Sequence, residues 1–509
     1  DAVNVALEDE LGLVVEGRER LVQEQDVGIG GQGADERDAL ALLPVLRDNN
    51  PIVTLLSNST LDFAGKAVGR PWYNRDLNNF APNIGLAWDL FGNGRTALRA
   101  GYALGFVNDE TIRSVDNNVG TNAGLSANST RTGLSARVST GLPPVPTPVF
   151  KVPRTFADNY AQNTQSAFGM PDPNLRTPYV QQWSFGIQQE IKGAVIEVRY
   201  VGNHATKAFR AFDYNQVVIR ENGFLDDFIR ARNNGFLALA RRGAFDPRYD
   251  PNIPGSQPLT VFPLLAAGGL LTNATIQTFI RQGAVGELAN IYQVNRLNGQ
   301  INFYRNPVAL GCNLLTNYSH STYNALQLDI RRRVSRGLFM QFNYGFSKVL
   351  SDAAGDSQHR FEAFLDINNP KLERARAPYD LTHQIKANWV YDLPFGEGYR
   401  LNPRRLSRLV SGWSISGFLT SQSGTPFSIL SGRGTLNRAA RSTATNTAIA
   451  LATKSELDKL LTLRMTGIGP YFVAASAIGP DGRAVAPDGS APFQGQVFFH
   501  PGPGTVGTL

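Results

Sequence analysis

Cysteine is almost absent: the one thiol, Cys312, can close no disulfide within the chain and builds no thiolate metal cage. A lone cysteine of this kind reads as a packing or loop residue. Histidine is nearly as rare, and His204, His320, His359, His383 and His500 are scattered singly, without the i, i+4 pairing of a helical zinc site. No apolar run reaches the roughly 20 residues that a membrane-spanning helix requires, so helical spans are excluded. There is no basic helix, zinc spacing or RNA-binding aromatic motif, and nucleic acid is not an expected partner. Asp352, Asp356 and Asp366 lack the twelve-residue loop and terminal glutamate of a calcium site and read as solvated loop acids. Gly92-Asn93-Gly94 and Gly432-Arg433-Gly434 do not lie between a parallel strand and a helix, so they read as turns rather than phosphate cradles. With no nucleophile paired to a base, no catalytic, cofactor or metal site is expected, and the chain is not read as an enzyme.

Charge is distributed unevenly. Of 42 acidic and 49 basic residues, the first fifty positions hold 12 and 4, which leaves 30 acids against 45 bases for the remainder. Residues 1–50 therefore stand apart as an acidic segment of helical character, and residues 51–509 as a basic one. The basic part suits anionic lipid headgroups, drawn by long-range attraction. A mean hydropathy of −0.20 does not contradict a membrane location, because strands with one lipid face and one wet face average out.

What is abundant is period-2 alternation, which marks strands with two chemically different faces. In 181–191, Trp183, Phe185, Ile187, Gln189 and Ile191 share one face and Gln182, Ser184, Gly186, Gln188 and Glu190 the other. After Lys192-Gly193 the pattern returns, with Ala194, Ile196, Val198 and Tyr200 set against Val195, Glu197 and Arg199. Leu326, Leu328 and Ile330 alternate with Gln327, Asp329 and Arg331; after a turn at 335–337, Leu338, Met340, Phe342, Tyr344 and Phe346 alternate with Gln341, Asn343 and Gly345. Ile385, Ala387, Trp389 and Tyr391 alternate with Lys386 and Asn388, a later strand starts at Trp413, and an earlier pair spans Ile84–Trp88 and Leu98–Phe106.

Alternation alone does not separate a soluble sandwich from a membrane barrel. Three features favour the barrel. Several runs reach about ten residues, the length a tilted strand needs to cross a bilayer. Trp88, Trp183, Trp389, Tyr391 and Trp413 fall near strand ends, where an aromatic girdle sits at the membrane interface. Short turns after Asp89, Ile191 and Val334 alternate with long connections over 107–179, 202–322 and 348–380, as periplasmic turns alternate with extracellular loops. The 394–412 connection is a longer one on the periplasmic side. Inside 202–322, the stretches 222–242 and 275–292 carry helical periodicity and predict short helices on the extracellular side.

These segments resemble a known family, the barrel of Oar-like TonB-dependent outer-membrane receptors. The motifs that carry the resemblance are Asn79-Phe80-Ala81-Pro82 running into GLAWDLFGNG and ALRAGYALGF; PYVQQWSFGIQQEI with IEVRYVGNHAT; STYNALQLDIRRRVSRGL with QFNYGFSKVLSDA; HQIKANWVYDLPFGEG; GWSISGFLTSQSGTPFSI; and FFHPGPGTVGTL. Together they cover about residues 76–509. The resemblance implies an all-β, antiparallel transmembrane barrel holding a plug and energised through TonB, for uptake or export of an extracellular ligand. No plug-like segment or TonB box is found ahead of the barrel motifs, residues 1–50 match nothing in the family, and the chain stops before a terminal aromatic strand. The expectation is a partial barrel, coupled to TonB only through a plug outside this chain. A start or frame artefact and an amphipathic leader both stay open for residues 1–50.

On this reading Glu197, Arg199, Asp329, Arg331 and Lys386 face the lumen, where they would meet a plug and the water around it. The alternatives are a non-transporting surface barrel that binds through its loops, a non-functional fragment, and a soluble β-rich binding protein.

Overall fold

The alternating segments assemble as one antiparallel sheet. In the computed structural model the described residues are 41–44, 50–64, 71, 73–107, 153–335, 337–352, 362–395, 412–437, 447–467 and 469–507. The chain divides into two compact units, Asp1–Ala41 with Phe63–Trp72, and Leu42–Asp62 with Tyr73–Leu509. The described residues lie almost entirely in the second. Most of the acidic segment, residues 1–40 and 45–49, is outside them, as are His359, Asp356 and most of the 394–412 connection.

The strands of this sheet are β1 (Asn83–Asp89), β2 (Thr96–Phe106), β3 (Ala167–Pro171), β4 (Tyr179–Ile191), β5 (Ala194–Asp213), β6 (Gly311–Ser335), β7 (Leu338–Ser351), β8 (Glu362–Ala363), β9 (Ala375–Arg376), β10 (His383–Asp392) and β11 (Ser414–Gln422). Eight of them form the sheet in the order β11-β10-β7-β6-β5-β4-β2-β1, each antiparallel to its neighbour. Among the described residues, β1 and β11 each have a partner on one side only. No described helix is long and apolar enough to cross a membrane.

Register keeps each face continuous across the sheet. One row runs Trp88, Leu98, Ile187, Val198, Leu328, Tyr344, Ile385 and Ser421. The next row, on the opposite face, runs Asp89, Ala97, Gln188, Glu197, Asp329, Asn343, Lys386 and Thr420. A slip of one residue in any strand would break both rows, which is why the strict alternation read from sequence fixes the face each side chain takes. The hairpin between β4 and β5 turns on Lys192 and Gly193, both at positive φ (49° and 80°), the two-residue turn that suits twisted strands.

Two glycines on the apolar face are sites for aromatic rings. Trp183 pairs with Gly202 and Trp389 with Gly417; a Cβ on Gly202 would lie 2.3 Å from Trp183 Nε1, and one on Gly417 2.5 Å from the Trp389 ring. Each indole therefore lies flat over its cross-strand neighbour, covering backbone that a larger residue would displace. Gly202→Val is expected to lower stability by about 1–3 kcal/mol, the usual penalty of overpacking. Trp183 would be pushed off the sheet, and its fluorescence in detergent should shift to the red. An unchanged denaturation midpoint would show that the ring does not need the glycine.

The long connections fold into structure of their own. Strands β5 and β6, with 20 and 25 residues, exceed the roughly 9–11 that a bilayer needs. A register irregularity at Ala205–Arg210, with Lys207 at φ 58°, marks where they leave the regular sheet. The connection expected over 202–322 thus narrows to 214–310, its ends being paired strand. Within it stand α1 (Phe224–Arg242), α2 (Ala274–Gln282) and α3 (Val285–Val294). Helix α1 begins with Asp226 and Asp227 and ends with Arg241 and Arg242, charges that oppose the helix dipole at each end. The helix predicted over 275–292 is two helices, because Gly283 takes a left-handed conformation (φ 75°) and caps α2.

These helices enclose the principal core. Phe224, Phe228, Phe262, Tyr292 and Phe303 are fully buried against one another, and the Tyr292 hydroxyl donates to Gly269 O at 2.6 Å. The Asp227 carboxylate, also fully buried, accepts from the backbone N–H of Thr260, Val261 and Phe262 at 2.7–2.9 Å and so ties α1 to the following loop. Cys312 is fully buried and its thiol donates to Leu55 O at 3.0 Å, a packing role in keeping with its isolation in the sequence.

Candidate functional site

The two faces of the sheet differ in what they offer. The apolar face leaves Ile84, Leu86, Trp88, Phe185, Ile187, Leu326, Phe346 and Ile415 exposed, each by 42–66%. A contiguous apolar band of this extent is not stable in water and marks a surface that meets lipid or a partner. Trp88, Trp389 and Tyr391 lie at the short-turn ends of β1 and β10, and Trp413 immediately precedes β11. Trp183 lies further along its strand, fifth of the thirteen residues of β4, opposite Tyr102 and Gly202. Trp183 and Tyr102 thus sit toward the long-loop side and Trp389, Tyr391 and Trp413 toward the short-turn side.

Chain alternation puts the polar side chains on the other face. There Glu197 and Asp329 are directly opposite on β5 and β6, two like charges that repel unless compensated. Each has an arginine two residues on along its own strand: Arg199 lies 3.8 Å from Glu197, and Arg331 Nε donates to Asp329 at 2.5 Å. Arg199 also donates twice to Gln327 Oε1, at 3.2 and 2.7 Å, and Gln341 to Asp329 at 3.4 Å. Lys386 joins the same row through Asn343, and its ammonium has no partner among the described residues. All five charges named from sequence therefore fall on one face and in neighbouring rows.

Beside this charged patch, toward the long loops, the same face forms a cavity of about 620 Å³. Its walls are uncharged: Gln182, Asn203, Tyr323, Gln327, Ser347 and Gln384 set amides and hydroxyls among apolar surface from Val180, Val349 and Leu381, with Tyr379 contributed by the connection after β9. Sequence placed Gln182 on the wet face but gave no sign that a cavity forms there, since Tyr379 and Leu381 reach it from a loop. Glutamines, asparagines and hydroxyls in such a wall offer donors and acceptors together, and can grip a polypeptide backbone or a polar ligand without a fixed charge. His204 and His320, isolated in the sequence, come within 6.3 Å ring to ring, and His320 Nδ1 lies 3.6 Å from Asp352.

An antiparallel sheet with a lipid-suited face, a wet face and long loops on one side is the arrangement of a membrane barrel. Residues 36–508 match the family described as "Outer membrane beta barrel domain". The chain belongs to this outer-membrane β-barrel family. Its location is the cell outer membrane. The family match begins at residue 36, inside the acidic segment. No curated protein matches the sequence. Among solved structures, the barrel is similar to the outer membrane transporter YddB from Escherichia coli, at 10% identity over 69% of this chain and 30% of that one, TM-score 0.32. It is similar to FpvA of P. aeruginosa, solved bound to heterologous pyoverdines, at 9% identity over 73% and 26%, TM-score 0.26. A third is the alcaligin outer membrane receptor FauA from Bordetella pertussis, at 10% identity over 72% and 32%, TM-score 0.24. The part of the barrel aligned in each case spans about a third or less of the solved protein.

Proposed function

We propose that the chain is barrel wall of an Oar-like, TonB-dependent receptor or transporter, which moves an extracellular ligand through a lumen occupied by a plug domain. The observation that carries this reading is the wet face: a charged patch, in which Lys386 has no partner among the described residues, next to a 620 Å³ uncharged cavity that carries amides and hydroxyls, backed by an apolar lipid face. A channel lined for free diffusion needs no such recessed polar wall, whereas a moving plug needs a surface it can bind and release. By the usual asymmetry of outer-membrane barrels the long connections are extracellular, which puts the helical module where ligands arrive. Binding and translocation, and no covalent chemistry, are the activity assigned.

A photo-crosslinking residue in place of Gln327, in cells of the native host, tests this. Capture of a plug-bearing segment that binds TonB is expected. Crosslinks only within the barrel wall would overturn transport in favour of a surface-binding barrel that acts through its loops.

A further inference from the structure

A second cavity, of about 470 Å³, lies far from the wet face, within the long-loop module. It is lined by Arg281 at the end of α2, Arg433, Arg483, Asp488 and His500. These come from three separate stretches of chain, and a fourth guanidinium, that of Arg232 on α1, donates to Arg281 O at 3.1 Å behind them. Three arginines thus line a recess whose one lining carboxylate is Asp488, while Asp481 beside it accepts from the Arg483 backbone N–H at 3.1 Å. The Asp488 carboxylate is already taken: Arg433 grips it with two bonds, at 2.7 and 2.9 Å, and caps Gln282 O at 2.9 Å. Arg281 reaches only the Asp488 carbonyl, at 3.4 Å, and the Arg483 side chain has no partner among the described residues.

Burial, and secondarily Arg433, hold His500 down to about 4, so its imidazole is neutral in ordinary media. Burial also lowers Arg232, with Asp488 opposing and Arg433 adding to the effect. The Ser431 hydroxyl meets His500 Nδ1 at 2.9 Å, which leaves Nε2 for a ligand. Arginines gathered against their mutual repulsion, two of them under-used, in a recess larger than a water cluster, fit an oxyanion.

We propose that this recess binds the phosphate group of a small phosphorylated ligand, with Arg281 and Arg483 as its direct contacts and the Arg433–Asp488 pair as the frame that positions them. A dianionic phosphate matches an excess of several positive charges better than a single carboxylate does, and the recess has room for a group attached to it. The proposal rests on the receptor reading only for where the ligand goes next; binding is measured without transport.

The test is equilibrium dialysis of the full chain in neutral detergent against radiolabelled inorganic phosphate, at constant ionic strength. Saturable binding is expected, weakened about tenfold or more in Arg281→Gln/Arg483→Gln. The exposed single change Arg483→Gln, which disturbs no described bond of its side chain, serves if the double variant fails to fold. Glycerol 3-phosphate and short-chain phosphatidic acid compete as the same group free and on a lipid; the stronger competitor names the source, and either result supports the site. Non-saturable binding, unchanged binding in the variants, or equal displacement by succinate would overturn it. A plug crosslink without phosphate binding would sink this site and leave the transporter reading standing.

Discussion

Leu328→Arg is expected to abolish insertion of the folded chain into lipid. Leu328 lies in the regular, short-turn half of β6, in register with Val198 on one side and Tyr344 on the other, within the apolar row that crosses the sheet. On a lipid face an arginine near the midplane costs about 2–4 kcal/mol, comparable with much of the net stability of a folded protein. The neighbouring change Gln327→Arg puts the same charge on the wet face, beside Arg199, and is expected to fold. Heat-modifiable mobility after refolding into lipid vesicles reads both. If Leu328→Arg and Gln327→Arg behave alike, the face assignment fails, and with it the membrane orientation of every strand. If the first alone is lost, the row read from register is the row that meets lipid.

Glu373→Gln is the second change expected to have a large effect, through the long-loop side instead of the membrane. Arg210 and Glu373 form an ion pair 3.3 Å apart in which both side chains are almost completely buried, 4% and 5% exposed. Glu373 accepts from Leu365 N at 2.7 Å with its other oxygen, and the Arg210 guanidinium lies 4.3 Å from the Phe212 ring, which stacks on Phe364 at 3.8 Å. The pair therefore fastens the connection carrying β8 and β9 to the extended end of β5. Removing one partner leaves the other charge buried, an effect of about 3–5 kcal/mol. The expected outcome is selective protease cleavage within 362–382 while the sheet stays heat-modifiable. Intact resistance to protease would mean that water reaches Arg210 and solvates it.

The faces of the sheet were legible in the sequence because a strand has a period of two: Trp183, Phe185 and Ile187 could only fall together, opposite Gln182, Ser184 and Gln188. Hairpin register followed from short turns such as Lys192-Gly193. That Glu197, Asp329 and Lys386 share a row was not legible, because β5 and β6 are joined through 214–310 and β7 and β10 through 352–382, and across such lengths periodicity fixes the face but not the register. The helices of the long connection were legible from spacing, apart from the break at Gly283, where one residue at positive φ ends α2.

The cavities were not legible, because nothing local encodes them. Tyr379 reaches the wet face from a loop, and Arg281, Arg433 and Arg483 lie as much as 202 positions apart before folding brings them around one recess. Gly432-Arg433-Gly434, read from sequence as a turn, lies in irregular chain; the arginine in it gains meaning only from Asp488 and His500, which arrive from the far end of the chain. Sequence by itself determined the long sheet strands, their two faces and the pairing across short turns, since periodicity and turn geometry act between neighbours. The tertiary structure decided how far β5 and β6 extend, how the loops pack into a cored module and where charge collects, because those depend on contacts whose partners are distant in the chain.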